Sequence, residues 1–252
     1  MDFNNKRILI TGASRGIGKA TALAFAQKGA KVGLNFRSNV EEAEKTLVEL
    51  PGNEHRLFQK DISKKENCQA LIDDFVSAYG QLDVLVNNAG ISIFHELEEV
   101  DYEHWTNAWE ATFQTNLFAV ANLSYWAAKA MMQRGGGRIV NVSSRGAFRG
   151  EPTKPAYGAS KAALNAMSQS LAKKLAPHNI YVGVVAPGFT ETEMAAVTLT
   201  PAERENLLRE SPFQRMAQPK EVAHAILFLA SEGAEYSSGT IIDVNGASYL
   251  RS

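Results

Sequence analysis

The sequence predicts an α/β protein with a mostly parallel sheet and helices on both faces. Short apolar runs alternate with amphipathic segments along the whole chain, and the connections between them are short. Strands covered on both faces read as continuous apolar runs, and strand–helix alternation is typical of parallel sheets. At 252 residues, the chain is long enough to form one substantial core. We therefore expect a single domain spanning residues 1–252.

Seven apolar runs are predicted to be strands. They are Arg7–Ile10, Lys31–Phe36, His55–Gln59, Val84–Val86, Arg138–Val142, Tyr181–Val185 and Ile241–Val244. Between them, a Ser or Thr followed three residues later by Glu predicts a capping box at a helix start. This pattern occurs at Ser38/Glu41, Ser63/Glu66 and Thr200/Glu203, the last with Pro201 at the first helical position. Helices are expected at Lys19–Lys28, across Trp105–Met132, and from Ala156 onward.

Composition excludes several classes of function. The formal net charge is −1 with signs interspersed, so we expect neither a nucleic-acid nor a membrane partner. Cys68 is the only cysteine, which excludes an internal disulfide and a cysteine-based metal site; no metal site is predicted. The N-terminal residues lack a signal h-region, and no apolar run approaches the roughly 20 residues that span a bilayer. We expect a soluble cytoplasmic protein.

A glycine-rich turn follows the first strand, reading TGASRGIG from Thr11 to Gly18. Gly12, Gly16 and Gly18 permit a tight turn, close approach of a pyrophosphate and close helix packing, which predicts a dinucleotide site. Amides at the start of the next helix favour an anion there. The Gly12–Gly16 stretch also matches the nucleophile elbow of α/β-hydrolases. That alternative needs earlier strands and a designated histidine, and only one strand precedes the turn, so it is disfavoured.

The end of the second strand predicts the choice of cofactor. NAD-dependent enzymes of this fold place an acid roughly 20 residues after the glycine turn to bind the ribose 2′-hydroxyl. Counting 20 from Gly16 reaches Phe36, which cannot accept that bond, and Arg37 follows. Arg15 lies in the glycine turn beside Ser14. Two guanidiniums suit a 2′-phosphate, so the sequence favours NADP(H), although each arginine alone is compatible with a solvated surface charge.

Further polar residues follow the later predicted strands. Asp61 either accepts from an adenine amine or caps the next helix. Asn87–Gly90 follows the fourth strand, where Asn87 is as compatible with a structural role as with ligand contact. Asn116 lies in a long helical stretch, where an Asn is usually a surface residue. The segment from Pro187 to about residue 218 is predicted to be loop with a short helix, either a lid over a pocket or a surface excursion.

Tyr157 and Lys161 form the strongest catalytic candidate. They stand four apart in a predicted helix, which places both side chains on one face. A phenol has a reference pKa of about 10, and a nearby ammonium can lower that pKa by roughly 1–3 units. Ser144 follows the fifth strand, at an edge where a hydroxyl can hydrogen-bond a carbonyl oxygen. The alternative is an ordinary solvated Tyr–Lys pair.

Together these motifs resemble the short-chain dehydrogenase/reductase family over essentially the whole chain. The resemblance implies a Rossmann fold, that is, a doubly wound seven-stranded parallel sheet, with a nicotinamide cofactor at the switch point. It implies that Tyr157 is the general acid/base, that Ser144 polarises the carbonyl and that Lys161 holds the ribose and tunes Tyr157. Asn116 would position a water in the proton relay, and Thr192 would contact the carboxamide region. Members are commonly homotetramers, assembled through the last strand and two long helices.

The resemblance also implies the residues that bind NADP(H). These are Gly12, Ser14, Arg15, Gly16, Ile17, Gly18, Arg37, Asp61, Ile62, Asn88, Ala89, Gly90, Tyr157, Lys161, Pro187, Gly188, Thr190 and Thr192. The implied function is interconversion of a carbonyl and a secondary alcohol. An alternative is a non-catalytic NADP(H)-sensing protein on the same fold, which the complete catalytic set disfavours.

Within the family, the chain most resembles 3-oxoacyl-(acyl-carrier-protein) reductases, so an acyl thioester is a candidate substrate; small ketones, quinones and sugars are alternatives. Carrier-protein reductases tend to place basic residues before the fifth strand and near the end of the Tyr157 helix. Here those places read Arg134–Gly137 and Pro177–Asn179, which predicts a weakened basic patch. Charges between Ser144 and Tyr157 suit an anionic substrate or a solvated loop, and His95 is expected at the surface rather than in the pocket. The loop charges are Arg145, Arg149 and Lys154.

Overall fold

The computed structural model describes residues 1–192 and 201–251. Its centre is a seven-stranded sheet in the order β3-β2-β1-β4-β5-β6-β7, and every pairing is parallel. The strands are β1 (Arg7–Thr11), β2 (Lys31–Phe36), β3 (Arg56–Gln59), β4 (Val84–Asn87), β5 (Gly137–Val142), β6 (Ile180–Pro187) and β7 (Ile241–Val244). The predicted parallel, doubly wound α/β fold is confirmed.

Nine α-helices are described. They are α1 (Gly16–Ala26), α2 (Val40–Glu49), α3 (Lys65–Tyr79), α4 (Tyr102–Phe113), α5 (Ala119–Met132), α6 (Gly146–Arg149), α7 (Pro155–Leu175), α8 (Pro201–Glu210) and α9 (Pro219–Ala230). A π-helical turn, Gln114–Phe118, separates α4 from α5, so the helical stretch predicted as continuous changes its hydrogen-bond register midway. No helix in the described part of the chain is both long and apolar enough to cross a bilayer.

Two of the predicted helix starts are displaced by one residue. Helix α2 is capped by Asn39, whose side chain accepts from the Glu42 amide at 3.1 Å, so the capping box predicted at Ser38 is wrong. Helix α3 starts after Lys64, and Ser63 instead donates to Asp61. The box predicted at Thr200 lies outside the described residues. Sequence inspection missed the start of α9, where the Gln218 amide donates to Glu221 at 2.7 Å.

The sheet separates two apolar layers because neighbouring side chains on a strand face opposite sides. On β1, Ile8 and Ile10 pack with α1 and α9, whereas Leu9 packs with α3 and α5. Phe25 is fully buried in the first layer, and Phe75 is fully buried in the second. Burying strands on both faces explains why their sequences read as unbroken apolar runs.

The strand order reverses between β1 and β4, which pair through Ile8↔Val84 and Ile10↔Val86. In open parallel sheets, ligands bind outside the carboxyl ends of the strands at such a switch point. The glycine turn after β1 and the Asn88–Ile91 segment after β4 therefore meet at this edge. Ser144 after β5 and Gly188 after β6 lie at the same edge.

Candidate active site

The glycine turn between β1 and α1 packs closely against the residues after β4 and the start of α1. Gly12 has φ +62°, and a Cβ there would lie 2.9 Å from the Ala89 Cα. A Cβ on Gly18 would lie 2.2 Å from the Gly12 carbonyl oxygen, so the turn and α1 are in contact. Helix α1 has no acidic residue in its first turn, and its N-cap residue, Arg15, makes no side-chain cap. These features suit a bound anion such as a pyrophosphate.

Side chains at the switch point join the glycine turn to β4. The Thr11 hydroxyl oxygen accepts from the Asn88 and Ala89 amides at 3.1 Å each. The Asn88 amide nitrogen donates to the carbonyls of Thr11 and Gly12 at 2.9 and 3.0 Å. Asn87 donates to Asn141 Oδ1 at 2.8 Å inside the core, which favours the structural interpretation of that residue. The side-chain donors of both asparagines therefore organise the turn and the strands.

Two guanidiniums lie near the carboxyl end of β2. The Ala13 amide donates to Asn35 O at 3.0 Å, so the glycine turn lies against this strand end. Phe36 is only 5 % exposed, whereas Arg37 and Arg15 are exposed. Within the described residues, neither arginine forms an ion pair with a carboxylate. Both charges are thus available to an anion in the cleft.

The side chains of the residues after β3 make contacts within the protein. Asp61 Oδ1 accepts from the Ser63 amide at 3.0 Å and from its hydroxyl at 2.7 Å. These bonds form a turn before α3 and do not cap the helix, whose N-cap residue is Lys64, so the predicted capping role of Asp61 is wrong. The Ile62 side chain is buried in the core, so any cofactor contact by this residue would use its main chain.

Asn116 lies in the π-helical turn and is fully buried, unlike a typical mid-helix Asn. Its Oδ1 accepts from the Ile91 amide at 2.8 Å, and its Nδ2 donates to Ile91 O at 2.9 Å. Nδ2 also lies 3.2 Å from the Ser160 hydroxyl. The π turn therefore directs one amide onto both the loop after β4 and the helix that carries Tyr157. Such turns are frequent at functional sites.

Lys161 is 4 % exposed and donates from Nζ to Val142 O at 2.8 Å. Burial lowers the pKa of its ammonium to about 8. A Cβ on Gly90 would lie 3.5 Å from Lys161 Nζ and 3.2 Å from Asn116 Oδ1. The absence of a side chain at Gly90 therefore lets the main chain approach both polar groups closely.

The half-buried Tyr157 lies one helical turn before Lys161, whose Nζ is 5.8 Å from the phenol ring centre. Burial raises the pKa of Tyr157; a hydrogen bond with Ser144 opposes the shift, and the Glu151 carboxylate adds to it. The prediction that Lys161 lowers the pKa of Tyr157 is therefore wrong for the protein without a bound ligand. Lys161 directs its ammonium to Val142 O, and desolvation of the phenolate outweighs other effects.

The loop after Ser144 contains a buried cation, although one interpretation of the sequence was that the charges of this loop are solvated. Arg145 is 3 % exposed; its guanidinium donates to Glu210 Oε2 and to the Ser248 hydroxyl, each at 2.6 Å. Arg149 donates to the same Glu210 oxygen at 2.8 Å. Burial lowers the pKa of Arg145, opposed by the Glu210 hydrogen bond. Glu210 therefore holds the end of α8 against the loop that follows Ser144.

The segment after β6 closes the other side of the cleft. The Arg145 amide donates to Pro187 O at 2.9 Å, which ties the Ser144 loop to β6. Gly188 donates its amide to Val244 O at 2.9 Å, and Thr190 hydrogen-bonds the Gly188 carbonyl. The Thr192 methyl group lies 3.2 Å from where a Cβ on Gly16 would be, so Thr192 faces the glycine turn. Part of the predicted lid, residues 193–200, lies outside the described residues.

His95 was expected at the surface and is instead fully buried. Its Nε2 accepts from the Ala156 amide at 3.1 Å, directly beside Tyr157. The two turns at which a weakened basic patch was predicted are neighbours, since the Gly137 amide donates to Asn179 O at 3.1 Å. The last turns of the flanking helices nevertheless expose basic residues that the prediction did not weigh. They are Lys129 on α5 and Lys173 and Lys174 on α7.

Comparison with known proteins identifies relatives over the full length. A profile of the short chain dehydrogenase family matches residues 6–202. The 3-oxoacyl-(acyl-carrier-protein) reductase FabG of Thermotoga maritima is 39 % identical over 248 residues, covering 98 % of each chain. An uncharacterized oxidoreductase of the same organism is 39 % identical over 256 residues, covering 98 % of this chain and 99 % of the other. A short-chain type dehydrogenase/reductase from Mycobacterium ulcerans superimposes with a TM-score of 0.91 at 28 % identity, covering 100 % of this chain and 92 % of that chain.

Proposed function

From the chain's membership of the short-chain dehydrogenase family, a family of oxidoreductases, we propose that it interconverts a carbonyl and a secondary alcohol using NADP(H). The observation that carries this proposal is the arrangement around Gly90, where Asn116 Oδ1 and Lys161 Nζ both border the position that a side chain would occupy. Ser144 and Tyr157 lie on the adjacent loop and helix, and the Ser144 side chain acts to lower the pKa of the Tyr157 phenol. A donor pair, a buried cation and an amide at one cleft suit proton transfer to an oxygen atom.

The residues present fit a nicotinamide dinucleotide carrying a 2′-phosphate. The Gly12–Gly18 backbone and the uncapped start of α1 would hold the pyrophosphate. Arg15 and Arg37 would hold the 2′-phosphate, since both are exposed and no acid stands at the end of β2. Lys161 would bind the nicotinamide ribose, and Thr192 would contact the carboxamide region. When bound, the cofactor would donate a hydride to the carbonyl carbon in reduction or accept one from the carbinol carbon in oxidation.

The protein's own groups perform the proton chemistry. Burial raises the pKa of Tyr157, so the phenol stays protonated near neutrality and can donate to the developing alkoxide. Ser144 lies within hydrogen-bonding reach of that phenol and would donate to the same substrate oxygen. The Lys161 ammonium, with its pKa at about 8, would stabilise the phenolate after transfer. Asn116 fixes the loop at Ile91 that lines the cleft, and would position a water of the relay.

Acyl thioesters of 3-oxo acids are the substrate class that we propose, because named relatives carry that activity over nearly the full chain. The charged loop does not favour an anionic substrate instead. Glu210 bonds both Arg145 and Arg149, so each of these guanidiniums already has a carboxylate partner within the protein. The exposed lysines at the ends of α5 and α7 would suit an acidic carrier domain.

We also propose a cytoplasmic homotetramer. Helix α5 exposes Tyr125, and Phe118 in the preceding π turn is half exposed. Strand β7 is an unpaired sheet edge in the described chain. Light scattering coupled to size exclusion tests this assembly, and a monomer at micromolar concentration would contradict it.

A screen of NADPH oxidation tests the proposed activity. Substrates are 3-oxoacyl thioesters on a small carrier and on carrier protein, small ketones, quinones and sugar ketones, each with NADPH and with NADH. We expect 3-oxoacyl thioesters to be reduced with the highest kcat/KM, and NADPH to be preferred. Turnover of a small ketone alone would retain the reaction class and overturn the substrate. Binding of NADPH without turnover of any carbonyl would favour the sensing alternative.

A further inference from the structure

Helix α7, which carries Tyr157, starts without a local cap. Its N-cap residue, Lys154, makes no side-chain hydrogen bond to the first turn, and Pro155 has no amide hydrogen. The amides of Tyr157 and Gly158 bond to Lys154 O at 2.9 and 3.4 Å. Ala156 is fully buried, so its amide is the donor in this turn that must find a partner elsewhere.

His95 supplies that partner from a different part of the chain. Its Nε2 lies 3.1 Å from the Ala156 amide nitrogen. Because an amide can only donate, Nε2 must carry the lone pair, and the ring proton is on Nδ1. Nδ1 lies 2.9 Å from Ile93 O and donates to it. The neutral ring thus connects the loop after β4 to the first turn of α7.

The surroundings of His95 leave the ring no alternative position. The side chain is 0 % exposed, and its ring centre lies 5.3 Å from that of Trp105 and 6.4 Å from that of Trp109. The His95 amide also donates to Thr153 O at 3.0 Å, so main chain and side chain both hold the segment before Tyr157. The ring therefore fixes the distance between the Ile93 loop and the amide preceding Tyr157.

We propose that His95 is a positioning residue for Tyr157, acting as a remote helix cap on the turn that carries the phenol. This inference rests on the proposed function, in which Tyr157 donates the proton. Without the acceptor at Nε2, the Ala156 amide is buried and unpaired, and the first turn shifts to satisfy it. Misplacing a reacting group by about 1 Å can reduce a rate by about 100-fold.

Two substitutions separate the acceptor from mere packing. In His95→Gln, the side-chain amide oxygen reaches the position of Nε2 and can accept from Ala156. In His95→Asn, the shorter amide reaches only the position of Nδ1 and leaves Ala156 unpaired. His104→Asn is the matched control, because the exposed His104 bonds Phe94 O at 2.9 Å in the same loop, and no bond from it to α7 is seen in the described chain.

The experiment measures kcat and KM on the best substrate, NADPH affinity by fluorescence titration, and hydrogen exchange of the 154–160 segment. We expect His95→Asn to lower kcat by about 10- to 100-fold and to speed exchange at Ala156, with NADPH affinity within about twofold of wild type. His95→Gln should retain kcat within about fivefold, and His104→Asn should match wild type.

Equal losses in the Gln and Asn variants, or unchanged exchange at Ala156 in His95→Asn, would overturn the inference. So would an equal loss in His104→Asn, since the effect would then come from the loop alone. If wild type reduces no carbonyl, the proposed function fails, whereas the exchange measurement still decides whether His95 caps the turn. Should His95→Asn not fold, exchange in His95→Gln must match wild type for the inference to survive.

Discussion

Replacing Arg37 changes the charge that faces the adenosine end of the predicted cofactor site. Arg37 directly follows β2, is exposed, and has no carboxylate partner among the described residues. Arg37→Ala therefore removes a guanidinium without leaving a buried charge unpaired. Arg37→Asp places a carboxylate near the position where NAD-dependent enzymes of this fold carry an acid. Phe36 is a poor position for that acid, because its side chain is only 5 % exposed and its loss would disturb the core.

The expected size follows from the contact that is lost. A hydrogen bond to a charged group contributes about 1.5–3 kcal/mol, and about 1.4 kcal/mol corresponds to tenfold in affinity. Since Arg37 is solvent-exposed, we expect Arg37→Ala to weaken NADPH binding by about 10- to 100-fold and to leave NADH within about twofold. Arg37→Asp should invert the preference toward NADH, because a carboxylate repels the phosphate and accepts from the ribose hydroxyl.

Fluorescence titration of NADPH and NADH against wild type, Arg37→Ala and Arg37→Asp measures these changes. Arg134→Ala is the matched control, since Arg134 is equally exposed but precedes β5 at the opposite edge of the sheet. Tighter binding of NADH than NADPH to the wild-type protein would show that the site does not select for the 2′-phosphate. If Arg37→Ala lost as much affinity for NADH as for NADPH, Arg37 would not be a ligand of the 2′-phosphate.

Three other perturbations have defined outcomes. Burial lowers the pKa of Lys161 to about 8, so between pH 8 and 10.5 the unfolded chain holds this proton while the folded chain has lost it. The free energy of unfolding of the wild type should therefore rise with pH across that window, by up to about 3 kcal/mol relative to Lys161→Met, as measured by urea unfolding. Glu210→Gln leaves the buried Arg145 guanidinium without its carboxylate, and should lower Tm by about 3 °C in calorimetry, whereas the exposed Glu205→Gln should not. Burial raises the pKa of Cys68 to about 11, so a thiol reagent at pH 7 should label it only when denaturant unfolds the protein, and rapid native labelling would contradict its buried position.

The strand bounds could be predicted closely because strands buried on both faces of a sheet appear in the sequence as continuous apolar runs. Arg138–Val142 is predicted as a strand, and β5 begins one residue earlier, at Gly137. Helix starts were less certain, since adjacent polar residues compete for the same amides: Asn39 caps α2 although Ser38 fits the capping pattern equally well. The π turn at Asn116 contacts α4, α5 and α7, and no local sequence pattern predicts it.

For the candidate site, the sequence predicted the spacing of Tyr157 and Lys161 but not the electrostatics of the two side chains. The four-residue spacing correctly places Lys161 one turn from Tyr157, yet it cannot reveal that Val142 O takes the ammonium. A lone histidine after β4 gave no sign of burial, because its partner Ala156 lies 61 residues away. Likewise, Arg145 is neutralised by Glu210 from a distant helix, a pairing that only the tertiary fold creates.

The role of Tyr157 as proton donor is the step on which the proposed NADPH-dependent carbonyl reduction depends. Tyr157→Phe tests it most directly, because the ring keeps its shape and only the transferable proton is lost. General acid catalysis typically contributes about 10²–10⁴-fold. We predict that kcat on the best carbonyl substrate falls by at least about 100-fold, while NADPH binds within about threefold of wild type. Retention of more than about a tenth of wild-type kcat, with NADPH binding intact, would show that Tyr157 is not the proton donor.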